Sequence, residues 1–315
     1  MPPLYFLHIP KTSGTSLSRY LDANVPDRAI LPAKVWSAHL GELGSAGLSP
    51  YARSMRRYRL VRGHFGLAAR REFSDRPQLV TMVRDPIDRV LSMFHHLDVE
   101  RVHNNFVPPD FYREPFSLGA VLADERRAVL SDGQVRHLSI DLDVKAMARA
   151  ERVDGDESGC RSLNLDTIPE FLHPSAPRPE LLDVAWNEVR TASWFGVQEY
   201  HQAGLLMLAE VLGWPPIRMG APLMQLDGRQ PRHSIDDDVL QAIRDHNRVD
   251  ATLHRRALAL FRQRYAAYAS RQLGETVNAT DIGDHEPEIT ARCLQRSLGS
   301  GGGSPAESSL AAAAR

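Results

Sequence analysis

Cysteine is nearly missing from this sequence. Cys160 and Cys293 are the only two in 315 residues, and they stand far apart, at none of the spacings that make a zinc site or a disulfide framework. The sequence therefore gives no lead toward metal catalysis, and no metal is expected. Net charge is missing too. A formal charge of -1 and a pI near 6.9 leave no overall basic field of the kind that accompanies nucleic-acid binding, so nucleic acid is not an expected partner. No stretch approaches the roughly 18 consecutive apolar residues of a membrane-spanning helix. The apolar start LYFLHI has no basic region before it. The chain is expected to have no transmembrane segment and to be soluble and cytoplasmic.

Lysine is the scarcest functional residue. Of 38 basic residues, only Lys11, Lys34 and Lys145 are lysines. Where charge alone suffices, this sequence uses arginine. A lysine kept against that bias is a candidate for a task that needs a compact ammonium, which a planar guanidinium cannot copy. Lys11 stands out on this ground before any motif is considered.

What is present is an ordinary globular composition, 43% hydrophobic and 24% charged, enough for one sizeable core or two modest ones. Leu4 to Ile9 is a short apolar run ending at Pro10, then Lys11-Thr12-Ser13-Gly14-Thr15-Ser16, then a helical pattern from about Leu17: strand, loop, helix. Residues 58–65 and 78–83 read as further buried strands, the second running into Arg84-Asp85-Pro86. Asp85 suits an N-cap and Pro86 a first helical residue, which predicts a helix to about Asp98. Helices are expected at Leu118 to Leu130, Glu180 to Thr191 and Tyr200 to Leu212, with a strand at Trp194 to Val197. A long one is expected from Ile235 to Tyr268, capped by Ser234 with Asp236, Asp237 and Asp238 at its positive end.

Strands alternating with helices give the fold class: α/β, a single P-loop-like domain whose central, mainly parallel sheet is flanked by helices. The domain is expected to span 1–275, with an irregular, Pro-rich insertion at 99–179 where a substrate would bind. A C-terminal tail follows at 276–315, too poor in hydrophobic residues from about 299 to order itself.

Two segments carry the chemistry. His8 to Leu17 connects a strand to a helix, where backbone N–H groups and the helix dipole favour an anion. It lacks the first glycine of the triphosphate loop G-x-x-x-x-G-K-[ST], and Lys11 precedes Gly14. An ordinary strand-to-helix turn is the alternative. In Arg84-Asp85-Pro86-Ile87-Asp88-Arg89-Val90-Leu91-Ser92, Arg84 stands just before the helix and Ser92 two turns into it, a guanidinium and a hydroxyl able to converge on one phosphate. The alternative is a surface cation and a solvated hydroxyl. Arg89 is placed to brace the helix through an ion pair.

Together these segments resemble the sulfotransferases that use 3′-phosphoadenosine-5′-phosphosulfate (PAPS), in particular the heparan-sulfate and uronyl 2-O-sulfotransferases and carbohydrate sulfotransferases. The resemblance covers Leu4 to His96 and returns in Trp194 to Glu199 and in Asn247-Arg248-Val249-Asp250. It implies a 5′-phosphosulfate loop at Lys11, Thr12, Ser13, Gly14, Thr15 and Ser16, a 3′-phosphate site at Arg84 and Ser92, and PAPS as sulfuryl donor. It further implies a general base at His64 in Arg62-Gly63-His64-Phe65-Gly66, with Arg62 where a two-histidine form of that segment has its other histidine. His64 at a strand end suits a ligand-facing role, while His8, His95 and His96 are expected to line or support the nucleotide pocket. Arg229 and Arg232 belong to a late basic loop that in the resembling enzymes closes over the 3′-phosphate end. The acceptor is expected to be a hydroxyl, with a glycan as its class. The arginines at 53, 56, 57, 59 and 62 form either a solvated charged segment or an anionic-glycan surface. The rivals are a nucleoside or small-molecule kinase with a variant phosphate loop and a nucleotide-sensing binding module. A kinase would carry an acidic magnesium ligand at a strand end, where this chain has Val83-Arg84 before Asp85.

Overall fold

A computed structural model of the chain describes residues 2–31, 58–63, 67, 70, 77–99, 109–139, 179–216 and 231–299. Among these residues four strands form one sheet: β1 (Leu4–Leu7), β2 (Leu60–Gly63), β3 (Gln78–Val83) and β4 (Trp194–Val197). All pairings are parallel, in the order β2-β1-β3-β4. Helices on both faces explain why β1 and β4 are buried at every position, since a parallel sheet covered on both sides reads as continuous apolar runs. In register, Leu7 lies beside Gly63 and Thr81, and Val83 beside Val197. The C-terminal strand ends therefore share one edge. The chain leaves β1 for β2 on one side and reaches β3 on the other, so the β1/β3 boundary is the topological switch point, where open α/β sheets bind ligands.

The helices in chain order are α1 (Gly14–Asn24), α2 (Pro86–Val99), α3 (Leu118–Ala123), α4 (Gly133–Ser139), α5 (Pro179–Thr191), α6 (His201–Leu212), α7 (Asp237–His246), α8 (Arg248–Leu273) and α9 (Glu286–Gly299). The main core joins the sheet to α1, α5, α6, α8 and α9. A second core packs α2 against Phe111, α3, Val129, Leu130 and α7. Among the described residues no helix is long and apolar enough to cross a membrane.

Several elements differ from the sequence-based expectation. The helix expected over Leu118 to Leu130 stops at Ala123. Asp124 then caps a 3-10 turn, Glu125–Val129, by accepting the Arg126 N–H at 2.9 Å. The buried Arg126 guanidinium also donates to the carbonyls of Phe111, Arg113 and Pro115, which folds 109–130 of the expected irregular insertion into the second core. The long helix expected from Ile235 to Tyr268 is two helices. Ser234 does not cap it; its hydroxyl donates to the Pro231 carbonyl, and α7 starts after Asp236. The break falls at Asn247, whose amide donates to the Ile243 carbonyl and accepts the Asp132 N–H. Past residue 275, α9 joins the main core through Ile289, Cys293 and Leu294, with the Thr290 hydroxyl 2.5 Å from that of Tyr265.

The break at Asn247 exposes the first turn of α8, and a reciprocal cap fills it. Asp132 Oδ1 accepts the N–H groups of Val249 (3.1 Å) and Asp250 (2.9 Å). In return, the Asp250 carboxylate accepts those of Gln134 (3.0 Å) and Val135 (2.8 Å) at the start of α4. Each helix supplies the acid that the other's orphan donors need. Burial, and then the neighbouring Asp250 charge, push the Asp132 carboxyl up to about 7. A carboxyl raised on folding contributes its stability fully below its unfolded pKa, about 4, and loses it as pH rises through the folded value. The melting temperature should therefore carry a downward component between about pH 4 and pH 7. Asp132→Asn keeps the acceptor oxygen and removes the charge, so it should flatten that decline, by roughly 2–4 °C for each kcal/mol relieved. Melts followed by circular dichroism across this range check it; parallel curves for the two proteins would exclude titration of the pair.

Candidate active site

Residues 8–13 turn the chain from β1 into α1 in one tight loop at the switch point. Lys11 (φ 66°) and Ser13 (φ 68°) both adopt left-handed backbone, a conformation that costs non-glycine residues on the order of 1–3 kcal/mol and persists only where the surroundings hold it. Here the His8 N–H donates to the Gly63 carbonyl at 3.0 Å. The Thr81 hydroxyl donates to the Leu7 carbonyl (3.0 Å), and the Thr12 hydroxyl to the Ile9 carbonyl (2.8 Å). Left-handed residues alternating with ordinary backbone turn successive N–H groups into an anion-binding concavity. Ser13 makes no side-chain capping bond to α1, so the helix N-terminus opens onto the same place. Gly14 is required by close approach. A Cβ there would stand 1.8 Å from Nε2 of His8, whose ring is stacked on Phe6 with centroids 5.3 Å apart.

Within this loop Lys11, Ser13 and Ser16 are half-buried and Thr15 is exposed. Thr12 is fully buried, its hydroxyl bound to Ile9, which leaves any contact with an anion to its backbone.

The second motif meets the first. Nη1 of Arg84, 8% exposed, donates to the Lys11 carbonyl at 3.0 Å, across 73 residues of sequence. Asp85 is the N-cap of α2 as expected, its Oδ1 accepting from the N–H groups of Ile87 (3.0 Å) and Asp88 (3.1 Å). Arg232 reaches the same corner, 3.7 Å from Oδ1 of Asp85. Ser92 is half-buried on α2, as are His95 and His96, and Arg89 is fully buried. His64 and Arg229 lie outside the described residues, as do Arg53, Arg56 and Arg57. Arg62 forms a bidentate pair with Asp22 of α1 at 2.7 and 2.8 Å, which ties β2 to α1. Among the described residues no group of three or more His, Cys, Asp or Glu is placed to hold a metal ion.

Gln134 and Glu199 were given no role by sequence reasoning, yet they hold the site. Gln134 Oε1 accepts the Arg84 N–H at 2.8 Å, and its Nε2 donates to the Arg84 carbonyl at 2.9 Å. Glu199 Oε1 accepts the Asp85 N–H at 2.6 Å, and its Oε2 stands 3.4 Å from Nε2 of His254. Burial pushes the Glu199 carboxyl up, but the hydrogen bond and charge of His254, with the Asp85 N–H, outweigh it and hold Glu199 below its usual value. Glu199 follows β4 on the ligand edge, a positional signal. Gln134 has none, because its role rests on contact with a residue 50 positions away.

No protein-family model matches the chain, and no curated protein matches it. Among solved structures it is similar to a sulfotransferase from Alicyclobacillus acidocaldarius, at 18% identity over 83% of this chain and 96% of that one, with a TM-score of 0.38, an overlap too small to carry a function from one chain to the other.

Proposed function

We propose that this protein is a sulfotransferase that moves a sulfuryl group from PAPS to an acceptor hydroxyl, with a glycan as the acceptor class. The observation that carries this is the bond from the Arg84 guanidinium to the Lys11 carbonyl. It sets an arginine at the end of β3 beside an anion-binding loop at the end of β1, two cationic positions on either side of the switch point. Two cationic residues at one switch point suit a nucleotide with phosphates on both its 5′ and 3′ positions, and the left-handed Lys11 and Ser13 fit a phosphate rather than a neutral ligand. The resemblance of the same two segments to PAPS-dependent enzymes points the same way. Asp85, the acid at the strand end, is engaged by the N–H groups of Ile87 and Asp88 and by Arg232, which disfavours a kinase in which it would hold magnesium.

PAPS, when bound, supplies an activated sulfuryl group on its 5′-phosphate. In this scheme the loop amides of residues 12–16, with the hydroxyls of Ser13, Thr15 and Ser16, hold the 5′-phosphate against the N-terminus of α1. Lys11 neutralises charge developing on the bridging oxygen. Arg84 and Ser92 take the 3′-phosphate, and Arg229 and Arg232 approach it from the late basic loop. His64 accepts the proton of the acceptor hydroxyl as its oxygen attacks sulfur.

Thermal-shift measurements with 3′,5′-ADP and ATP test the assignment, since a ligand at a hundred times its Kd stabilises by about 2.7 kcal/mol. The stronger shift should come from 3′,5′-ADP. Arg84→Ala should remove roughly 1.5–3 kcal/mol of 3′,5′-ADP binding, and Ser92→Ala less, with 5′-AMP little affected. Equal losses for both nucleotides would place these groups elsewhere. Lys11→Arg keeps the charge, but its wide planar head misses the point beside the bridging oxygen. Turnover should fall far more than nucleotide affinity, and near-normal turnover would reduce Lys11 to a source of field.

His64→Ala should leave PAPS and 3′,5′-ADP affinity nearly unchanged while turnover falls by about 10²–10⁴. Wild-type activity should rise through a pKa near that of imidazole, about 6.5, and that limb should vanish in the variant. Survival of the limb would assign the base to another group.

A further inference from the structure

The Arg84–Asp85 dipeptide is held at three backbone groups by two side chains. Gln134 closes both the N–H and the carbonyl of Arg84, and Glu199 closes the N–H of Asp85. Both clamps are backed by the same face of α8. Asp250 accepts the N–H groups of Gln134 and Val135, which fixes the first turn of α4 and with it the root of the Gln134 side chain. His254, one turn further along α8, meets Glu199 at 3.4 Å. Gln134 and Asp250 are fully buried, while Arg84 is 8% and His254 9% exposed. The four segments that meet here are distant in sequence.

A folding staple needs only one such bond. Two fall on Arg84, whose guanidinium reaches the phosphate loop, and the third on the next N–H, that of Asp85; together they fix the peptide planes on both sides of Arg84, the base from which a long and flexible side chain must be aimed. A charged group positioned to about 0.5 Å requires a supporting shell of this kind. We propose that Gln134 and Glu199, backed by Asp250 and His254, are positioning residues that aim Arg84 and so set the preference of the site for a nucleotide with a 3′-phosphate over one without it. This rests on the assignment of Arg84 to a 3′-phosphate made above. Neither clamp touches the phosphate loop directly in the bonds described, and the one link between them is the Arg84–Lys11 bond, so 5′-phosphate binding should respond much less than 3′-phosphate binding.

Isothermal titration of the full chain with 3′,5′-ADP and with 5′-AMP tests this. Gln134→Met keeps side-chain volume and loses both bonds to Arg84. It should weaken 3′,5′-ADP on the order of 10-fold and 5′-AMP by less than about 2-fold. Glu199 is half-exposed and tolerates change better, so it gives a second pair of variants. Glu199→Gln keeps an acceptor for the Asp85 N–H and should retain the wild-type preference, whereas Glu199→Met should lose part of it. Circular dichroism melts separate loss of fold from loss of aim. An unchanged ratio of the two affinities in Gln134→Met and Glu199→Met, with or without a lower melting temperature, would reduce the clamps to staples and overturn the proposal. A wild-type protein that binds the two nucleotides equally would instead overturn the 3′-phosphate assignment itself.

Discussion

The buried carboxylate of Asp250 is the contact on which the geometry of the site depends. It lies at the start of the longest helix and accepts the first N–H groups of α4. Remove that acceptor and two donors are left unpaired in a fully buried place, at a cost of about 1–3 kcal/mol each. More is at stake than the bonds themselves. The first of those donors belongs to Gln134, whose side chain closes the backbone of Arg84. The order of dependence thus runs from a helix cap, through an amide, to a guanidinium at the sheet edge. A second order runs beside it from His254 through Glu199 to Asp85.

Much of this was legible in the sequence wherever the cause is local. The apolar runs at Leu4 and Gln78 became β1 and β3, and Asp85-Pro86 began a helix with the expected capping bonds, because strand burial and N-capping depend on a few neighbouring residues. The scarcity of lysine singled out Lys11, which the structure places in left-handed backbone within the loop. Gly14 was read as part of a phosphate loop, but the reason for glycine lies in the ring of His8 packed against it, six positions earlier and visible only once the loop is closed.

The rest was hidden because its causes are tertiary. Ile235 through Tyr268 reads as one amphipathic helix, and nothing near Asn247 breaks the pattern. The break is rewarded by the Asp132 N–H, 115 residues away, and by the cap that Asp132 then offers to Val249 and Asp250. Likewise the Pro-rich stretch after residue 107 looked irregular, yet the single buried guanidinium of Arg126 gathers three carbonyls and lets Phe111 and Tyr112 join a second core. Periodicity reports one element's faces; it carries no information on which distant donor will choose a given acceptor.

The charge distribution around the switch point completes the argument. Four carboxylates, those of Asp85, Asp132, Glu199 and Asp250, belong to the hydrogen-bond network that leads through Arg84 to a loop suited to an anion, which at first sight opposes its purpose. Each of them, however, accepts backbone N–H groups: Asp85 those of Ile87 and Asp88, Asp132 those of Val249 and Asp250, Glu199 that of Asp85, and Asp250 those of Gln134 and Val135. A carboxylate so engaged is partly offset by the peptide dipoles it accepts from, and Asp132, pushed up to about 7 by burial and the Asp250 charge, sheds part of its own charge near neutral pH. The acids fix the backbone around the loop, and under the proposed function the charge presented toward a ligand is left to Lys11 and Arg84. Anchoring with acids and binding with bases therefore coexist in one hydrogen-bonded network, because the acids accept donors of the chain itself.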